Sequence, residues 1–198
     1  MKRNRKSILV KRIVTAVLVL MWMILISSFS AQNGQQSGGL SKKVAKNVVE
    51  TQEKLLKKKW DSKQKEAKIL ALQFPVRKTA HMTEYGILAV LLMFHFSCYL
   101  IRNPGNNSKR TDKELFQLAD ALDDYHDSKV CHRIPWKCRL ALAELLVFLY
   151  AAGDELHQRF VAGRTGCWQD VVIDGIGGGI FLLLLSLAHR IYRLHIAK

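Results

Sequence analysis

The sequence predicts an all-α, polytopic membrane protein, a bundle of four transmembrane helices with an additional amphipathic helix between spans one and two. Three observations carry this. The apolar residues are bunched into four blocks rather than spread through the chain. The Lys and Arg residues sit beside those blocks, as topology signals do. The connection between the last two blocks is short and dense in polar side chains, the pattern of a cap on a helix bundle. A length of 198 residues leaves room for one domain and little else.

The basic start "MKRNRKSILVKR", residues 1–12, precedes the uncharged run "IVTAVLVLMWMILISSF", residues 13–29, which as a helix is long enough to cross most of a hydrocarbon core about 30 Å thick. A secretory signal with "SFSA" at its cleavage site is the alternative. Three further apolar blocks favour a retained signal anchor. Residues 40–72 place Val44, Val48, Leu55, Leu56 and Trp60 at mostly helical spacing among many Lys residues. This reads as a basic amphipathic helix on a membrane surface, its Lys stems reaching anionic head groups; a solvated insert is the alternative. The second span is "YGILAVLLMFHFSCYLI", residues 85–101. The third starts with "LALAELLVFLYAAG" and continues into "DELHQRF", giving residues 140–156. The fourth, residues 171–188, is "VVIDGIGGGIFLLLLSLA". A tail of residues 189–198 follows.

A formal charge of +15 invites a nucleic-acid reading, but these cations flank apolar segments instead of forming a soluble basic module. No nucleic acid is expected as partner. Short Lys- and Arg-rich segments stay in the cytoplasm. That rule puts both termini and the loop 102–139 inside a bacterial cell membrane, and the loop between spans three and four outside. The basic insert would then also be outside, against the rule, although long charged segments are weak topology signals.

The loop 102–139 opens with turn chemistry at Asn103 to Asn107 and predicts a short helix around residues 115–122. Asp123, Asp124, His126 and Asp127 form an acidic cluster with the composition of a solvated face. Cys98, Cys131, Cys138 and Cys167 lack C-x-x-C spacing, so neither zinc nor a disulfide framework is signalled. Cys131 and Cys138 are candidates for acylation near a membrane surface. No metal or cofactor is implied.

Ionisable groups in or beside spanning helices are costly to desolvate and usually find partners in the bundle interior. Four places qualify: His81 with Glu84, Glu144, the group Asp154, Glu155 and Gln158, and Asp170 with Asp174. His81 and Glu84 are one helical turn apart. Glu144, Ala151 and Glu155 share a stripe of the third helix, close to Gln158. Asp170, Asp174 and Gly177 share one on the fourth, where neighbouring glycines permit close helix approach. Converging stripes would form a polar cap over one bundle end, with Arg164 available to neutralise Asp154, Glu155, Asp170 or Asp174. Such a network can serve structure alone, fixing helix register. It can also bind a polar head group or peptide. The carboxylates and imidazole suffice for acid/base chemistry or a divalent metal, but no H-E-x-x-H, nucleophile elbow or phosphate loop appears.

At "SSFSAQNGQQSGGLS", "RKTAHMTEYGIL" and "DELHQRFVAGRTGCWQDVVIDGIGGGI" the chain resembles the VanZ-like family of small bacterial membrane proteins. The family pattern carries over to Ser30, Gln32, Ser37, Lys78, His81, Glu84, Tyr85, Asp154, Glu155, Gln158, Phe160, Arg164, Asp170 and Gly177. It covers the four spans as a domain over residues 27–188 and leaves aside 42–68 and 102–131. One departure is Asp174, where the resemblance implies Asn in many relatives. The resemblance implies action at the cell envelope and a link with low-level resistance to teicoplanin-type glycopeptides, with no settled mechanism.

The expected site is the outer cap, centred on Glu155, Arg164, Asp170 and His81. Its expected partners are the lipid bilayer, anionic lipids, and a cell-wall precursor or glycopeptide. Two alternatives remain: an intramembrane enzyme acting on a lipid-linked cell-wall precursor, which a divalent metal at His81, Glu84 and Asp154 would favour, and a small transporter with Glu144 on its path. His95, also in a span, reads as a packed and hydrogen-bonded histidine.

Overall fold

A computed structural model describes residues 5–102, 131–164 and 166–196. Five helices follow one another: α1 (Arg5–Ser30), α2 (Gly34–Leu56), α3 (Ser62–Phe96), α4 (Trp136–Gln158) and α5 (Trp168–Ile196). Between α3 and α4, β1 (Leu100–Arg102) pairs antiparallel with β2 (Cys131–Arg133), Leu100 opposite Arg133 and Arg102 opposite Cys131. The helix expected at 115–122 and the acidic cluster Asp123, Asp124, His126 and Asp127 lie outside the described residues.

The protein is all-α apart from that short pairing. Among the described residues, two stretches are long and apolar enough to cross a membrane, Ser7–Ser30 and Trp168–Ile196. The second and third expected spans are also helical, in α3 and α4. Both carry ionisable groups such as Lys78, His81, Glu84, Glu144, Asp154 and Glu155, which keep them from qualifying on hydropathy. The second span also ends earlier than residue 101. Ser97, Cys98 and Tyr99 turn back onto carbonyls of Met93, Phe94, His95 and Phe96, and the chain then becomes extended.

The insert is not the single helix expected over 40–72. Asn33 and Gln36 form a capping box that starts α2. At its end Lys57 takes a left-handed conformation (φ 49°), and α3 begins at Ser62. Glu53 closes the resulting hairpin, accepting from the Trp60 backbone N–H (3.2 Å) and from Lys65 Nζ (2.7 Å). Folding back lets Ala45 and Val49 bury against Ile69, Leu72 and Val76, which one straight helix would leave in water. From Ser62, α3 runs without a break through Pro75 to Phe96.

α3 is the hub, packing on α1, α2, α4 and α5. Its Tyr85, Leu88, Ala89, Leu92 and Met93 are buried with Val19 and Ile26 of α1, Ala143, Val147 and Ala151 of α4, and Leu182 of α5. Arg12 near the start of α1 donates to the Cys98 carbonyl after α3, so these helices are antiparallel. Beside them α3 and α5 run parallel: Gly177 lies on Met82 and Gly86 on the Phe181 ring. A Cβ at Gly177 would sit 2.4 Å from the Met82 carbonyl oxygen.

That contact admits no side chain. Gly177→Ala is expected to lower stability by about 1–3 kcal/mol, because the clash is with backbone and cannot be relieved by a rotamer change. At Gly38, in α2, an added Cβ meets nothing within 4 Å. There the same substitution should leave stability unchanged or raise it by about 0.5–1 kcal/mol through helix propensity. Thermal unfolding of the two purified variants beside the wild type checks both.

Candidate functional site

Helix directions decide what meets at one end. α1 and α4 finish there, α2 and α5 begin there, and α3 passes through on its way into the bundle. The polar residues singled out from the sequence gather at this end because each occupies the last or first turns of its helix, or the equivalent stretch of α3.

The tightest arrangement is a hydrogen-bonded circuit. Ser30 Oγ, at the end of α1, donates to Asp154 Oδ2 (2.8 Å), and Gln158 Nε2 donates to the same oxygen (3.0 Å). Arg164 Nη1 donates to Gln158 Oε1 (3.1 Å). The same guanidinium returns to α1, Nε donating to the Gln32 carbonyl (3.0 Å) and Nη2 to that of Phe29 (3.3 Å). Carbonyls at a helix C-terminus have no intrahelical donor and carry partial negative charge, so a cation there meets both needs. Ser30, Asp154 and Gln158 are buried.

The loop that delivers Arg164 is held against the start of α2. Gly34 N–H donates to the Ala162 carbonyl (3.3 Å), and a Cβ on Gly34 would approach Gly163 O to 2.3 Å. Gly163 itself has φ +73°, a conformation that glycine adopts without strain. Two further carboxylates have partners of their own. Glu155 accepts from the Cys167 backbone N–H (2.8 Å) and Asp170 pairs with Lys78 Nζ. Asp174 is buried on the face of α5 that carries Gly177 and Gly178.

These contacts redistribute the expected roles. The carboxylate that takes an ion-pair partner is Asp170, and its cation is Lys78, not Arg164. Arg164 reaches Asp154 through Gln158. The centre is therefore Ser30, Asp154, Gln158 and Arg164, with Glu155 and Asp170 to one side. Phe160 is 83% exposed in the connecting loop. Glu144 lies farther along α4 beside Gly178, whose added Cβ would be 3.0 Å from its Oε2. His95 is at the opposite end, where its Nδ1 meets Thr15 Oγ1 (2.9 Å) and its Nε2 meets Tyr99 OH (3.2 Å), as a packed histidine would. Among the described residues, no three of His, Cys, Asp and Glu converge as a metal would require, so His81, Glu84 and Asp154 do not form such a group.

His81 and Glu84 face a cleft. Its volume is about 140 Å3, and its lining includes Phe29, Gln32, Val44, Val76 and Arg77 as well as His81, Glu84 and Arg164. His81 Nδ1 is 3.6 Å from Glu84 Oε2, too far for a hydrogen bond, and has no other hydrogen-bond partner among the described residues. Burial, and secondarily the nearby Arg164, lowers the proton affinity of His81. Burial, and secondarily Asp154, raises Glu84 to about 7. The pair is thus neutral imidazole beside a carboxyl group near its midpoint, not a fixed ion pair. Sequence reasoning did not single out Arg77 or the apolar walls of this cleft. Arg77 was visible only as one cation among many, and the walls depend on the α2–α3 hairpin.

The pH dependence follows from the signs. Glu84 has an ordinary value of 4.5 and a folded one of about 7, so the folded state holds its proton longer. Its contribution to stability falls as pH rises from about 4.5 to 7, by at most about 3 kcal/mol. The lowered His81 acts oppositely, removing stability as pH falls through 6.5. Melting temperature measured from pH 5 to 8 should show the loss on raising pH from 5 toward 7 flattened in Glu84→Gln and the loss on lowering pH through 6.5 flattened in His81→Gln. An unchanged profile in both variants would contradict the assignment.

No curated protein and no solved structure matches the chain. A family model described as VanZ/LLP1 matches residues 14–189, a range containing the circuit, the cleft and the α2–α3 hairpin. The match also runs through the segments the sequence resemblance left aside. With most of its length matched, the chain belongs to the VanZ/LLP1 family.

Proposed function

We propose that the protein is a four-span membrane protein of the bacterial envelope, with both termini cytoplasmic and the polar end outside, and that it contributes to tolerance of teicoplanin-type glycopeptides by binding there. The membrane reading is supported by inverted polarity. Asp154, Glu155 and Asp174 are buried, whereas Leu145 and Leu149 of α4 and Leu183, Leu184 and Leu187 of α5 are more than half exposed. Water would not sustain that distribution, and lipid would. At the other end Trp136 stacks on His189 with ring centroids 4.2 Å apart, the kind of amphipathic aromatic found at a head-group boundary.

The observation that carries binding over catalysis is the state of the carboxylates. Asp154, Glu155 and Asp170 are each committed to hydrogen bonds that join helices. Groups so committed orient structure, and none of the three is among the residues that line the cleft. One observation favours the enzyme reading, in which the target is a lipid-linked cell-wall precursor: His81 and Glu84 line the cleft as an acid/base pair.

Two measurements test the proposal. A single cysteine at Ala162, in a functional background without the native cysteines, is expected to react in intact cells with a reagent that cannot cross the membrane. Labelling only after permeabilisation would reverse the orientation. Expression in a susceptible host is expected to raise teicoplanin tolerance, with Arg164→Ala losing the effect. Glu155→Gln should keep it, because the amide oxygen still accepts the Cys167 N–H. Loss on His81→Gln with the fold intact would move the reading to catalysis, and no tolerance from the wild type would sink the glycopeptide role.

A further inference from the structure

The cleft at the base of the α2–α3 hairpin is charged in an uneven way. Arg164 is balanced through Gln158 by Asp154, and Lys78 is taken up by Asp170. Arg77, exposed on the cleft wall, makes no hydrogen bond or ion pair among the described residues. It stands near enough to Arg164 for the two like charges to oppose one another. Two guanidinium groups kept close without an intervening anion form a receptor for one. Arg164 also keeps spare donors: three of its N–H groups serve Gln32, Gln158 and Phe29, out of the five a guanidinium has. The start of α2, at Gly34, adds the positive end of a helix dipole beside Gln32 and Ser37 of the lining.

The rest of the wall is apolar. Leu40 and Val44 of α2 face Val76 of α3 and Phe29 of α1, and Leu40 is 51% exposed, a cost in water unless something covers it. A simple anion would leave that surface bare, and an uncharged chain would leave Arg77 unanswered. At about 140 Å3 the space suits a head group with part of a chain, not a folded partner.

We infer that this cleft binds an anionic amphiphile, its phosphate-type group held between Arg77 and Arg164 and the first part of one alkyl chain laid against Leu40, Val44 and Val76. This rests on the reading of the polar end as a binding site and names the class of its ligand. The charged groups facing the bound anion are Arg77, His81 and Glu84 from α3, Arg164 from the loop and, behind Gln158, Asp154 from α4. Glu84 and, behind Gln158, Asp154 oppose it, and as Glu84 loses its proton above about pH 7 the anion should bind less tightly.

The test uses the full chain in nanodiscs of neutral phosphatidylcholine, titrated calorimetrically with hexyl phosphate, inorganic phosphate and hexanol. Hexyl phosphate is expected to bind saturably, at least about tenfold more tightly than either fragment, since each part supplies an independent share of the affinity. Arg77→Gln should weaken it about tenfold or more, in line with the loss of a charge-assisted contact. Arg77 makes no hydrogen bond or ion pair among the described residues, so this variant is expected to fold. Val44→Asn should weaken hexyl phosphate while leaving inorganic phosphate as it was. Equal affinity for inorganic phosphate would make this a site for a free anion, and equal affinity for hexanol a merely apolar groove. Either result, or no binding, or full affinity in Arg77→Gln, overturns the inference. Teicoplanin tolerance in the wild type separates the two claims: tolerance without hexyl phosphate binding removes the ligand and keeps the envelope role, and binding without tolerance does the reverse.

Discussion

Arg164 closes a loop of hydrogen bonds that begins and ends on α1, and the geometry of the whole polar end depends on that closure. The guanidinium answers two separate costs at once. The carbonyls of Phe29 and Gln32 sit where a helix has run out of donors, and the carboxylate of Asp154 is buried where few waters reach it. Local backbone supplies only the Gln32 N–H to the Phe29 carbonyl (3.3 Å). Because one side chain serves both, through Gln158, the ends of α1 and α4 and the loop before α5 cannot move independently. Lysine could not take this place, since the circuit uses three N–H groups spread along a planar fork.

A second constraint acts on the helix that is not part of the circuit. α3 is brought to α5 by the backbone contact of Gly177 with Met82, and this close parallel approach is what sets Lys78 against Asp170 one to two turns nearer the cap. The two constraints together leave His81, Glu84 and Arg77 on the open side of α3, in a cleft that Arg164 of the circuit and the start of α2 also line. The site is therefore divided. Its carboxylates on α4 and α5 hold helices together, and its ionisable groups on α3 face the space that a ligand can enter.

Much of this was legible in the sequence because burial of charge in an apolar segment has few solutions. Asp154, Glu155, Gln158, Arg164, Asp170 and Asp174 fall at helix ends that the apolar blocks already mark, so their convergence follows from the up-and-down order of the blocks. The pairings were not legible. Which of Lys78 and Arg164 meets Asp170 depends on the rotation of α3 against α5, and that is set at Gly177, whose partner is a backbone oxygen and not a recognisable side chain. The hairpin was hidden for a different reason. Its turn uses Lys57 in a left-handed conformation where Gly or Asn would have been a signal, and Pro75, an apparent breaker, sits inside a continuous helix. Without the hairpin, Val44 reads as part of an amphipathic surface and not as a wall facing Val76.

Asp174 shows how narrowly the interior is balanced. It is 2% exposed, and Glu155, Asp170 and Asp154 all act on it electrostatically, with Lys78 as the opposing cation. An asparagine at this place would offer the neighbouring carboxylates two N–H donors at any pH, whereas an aspartic acid offers one, and only while it carries its proton. Aspartic acid thus holds a conditional donor where asparagine would hold a permanent one, on the face of α5 that meets α3 at Gly177. Lys78, whose ion pair is with Asp170, also acts on Asp174 electrostatically. Arg77, one residue earlier on the same helix, faces the cleft with no hydrogen bond or ion pair among the described residues, and that is the ground on which an anion is proposed there.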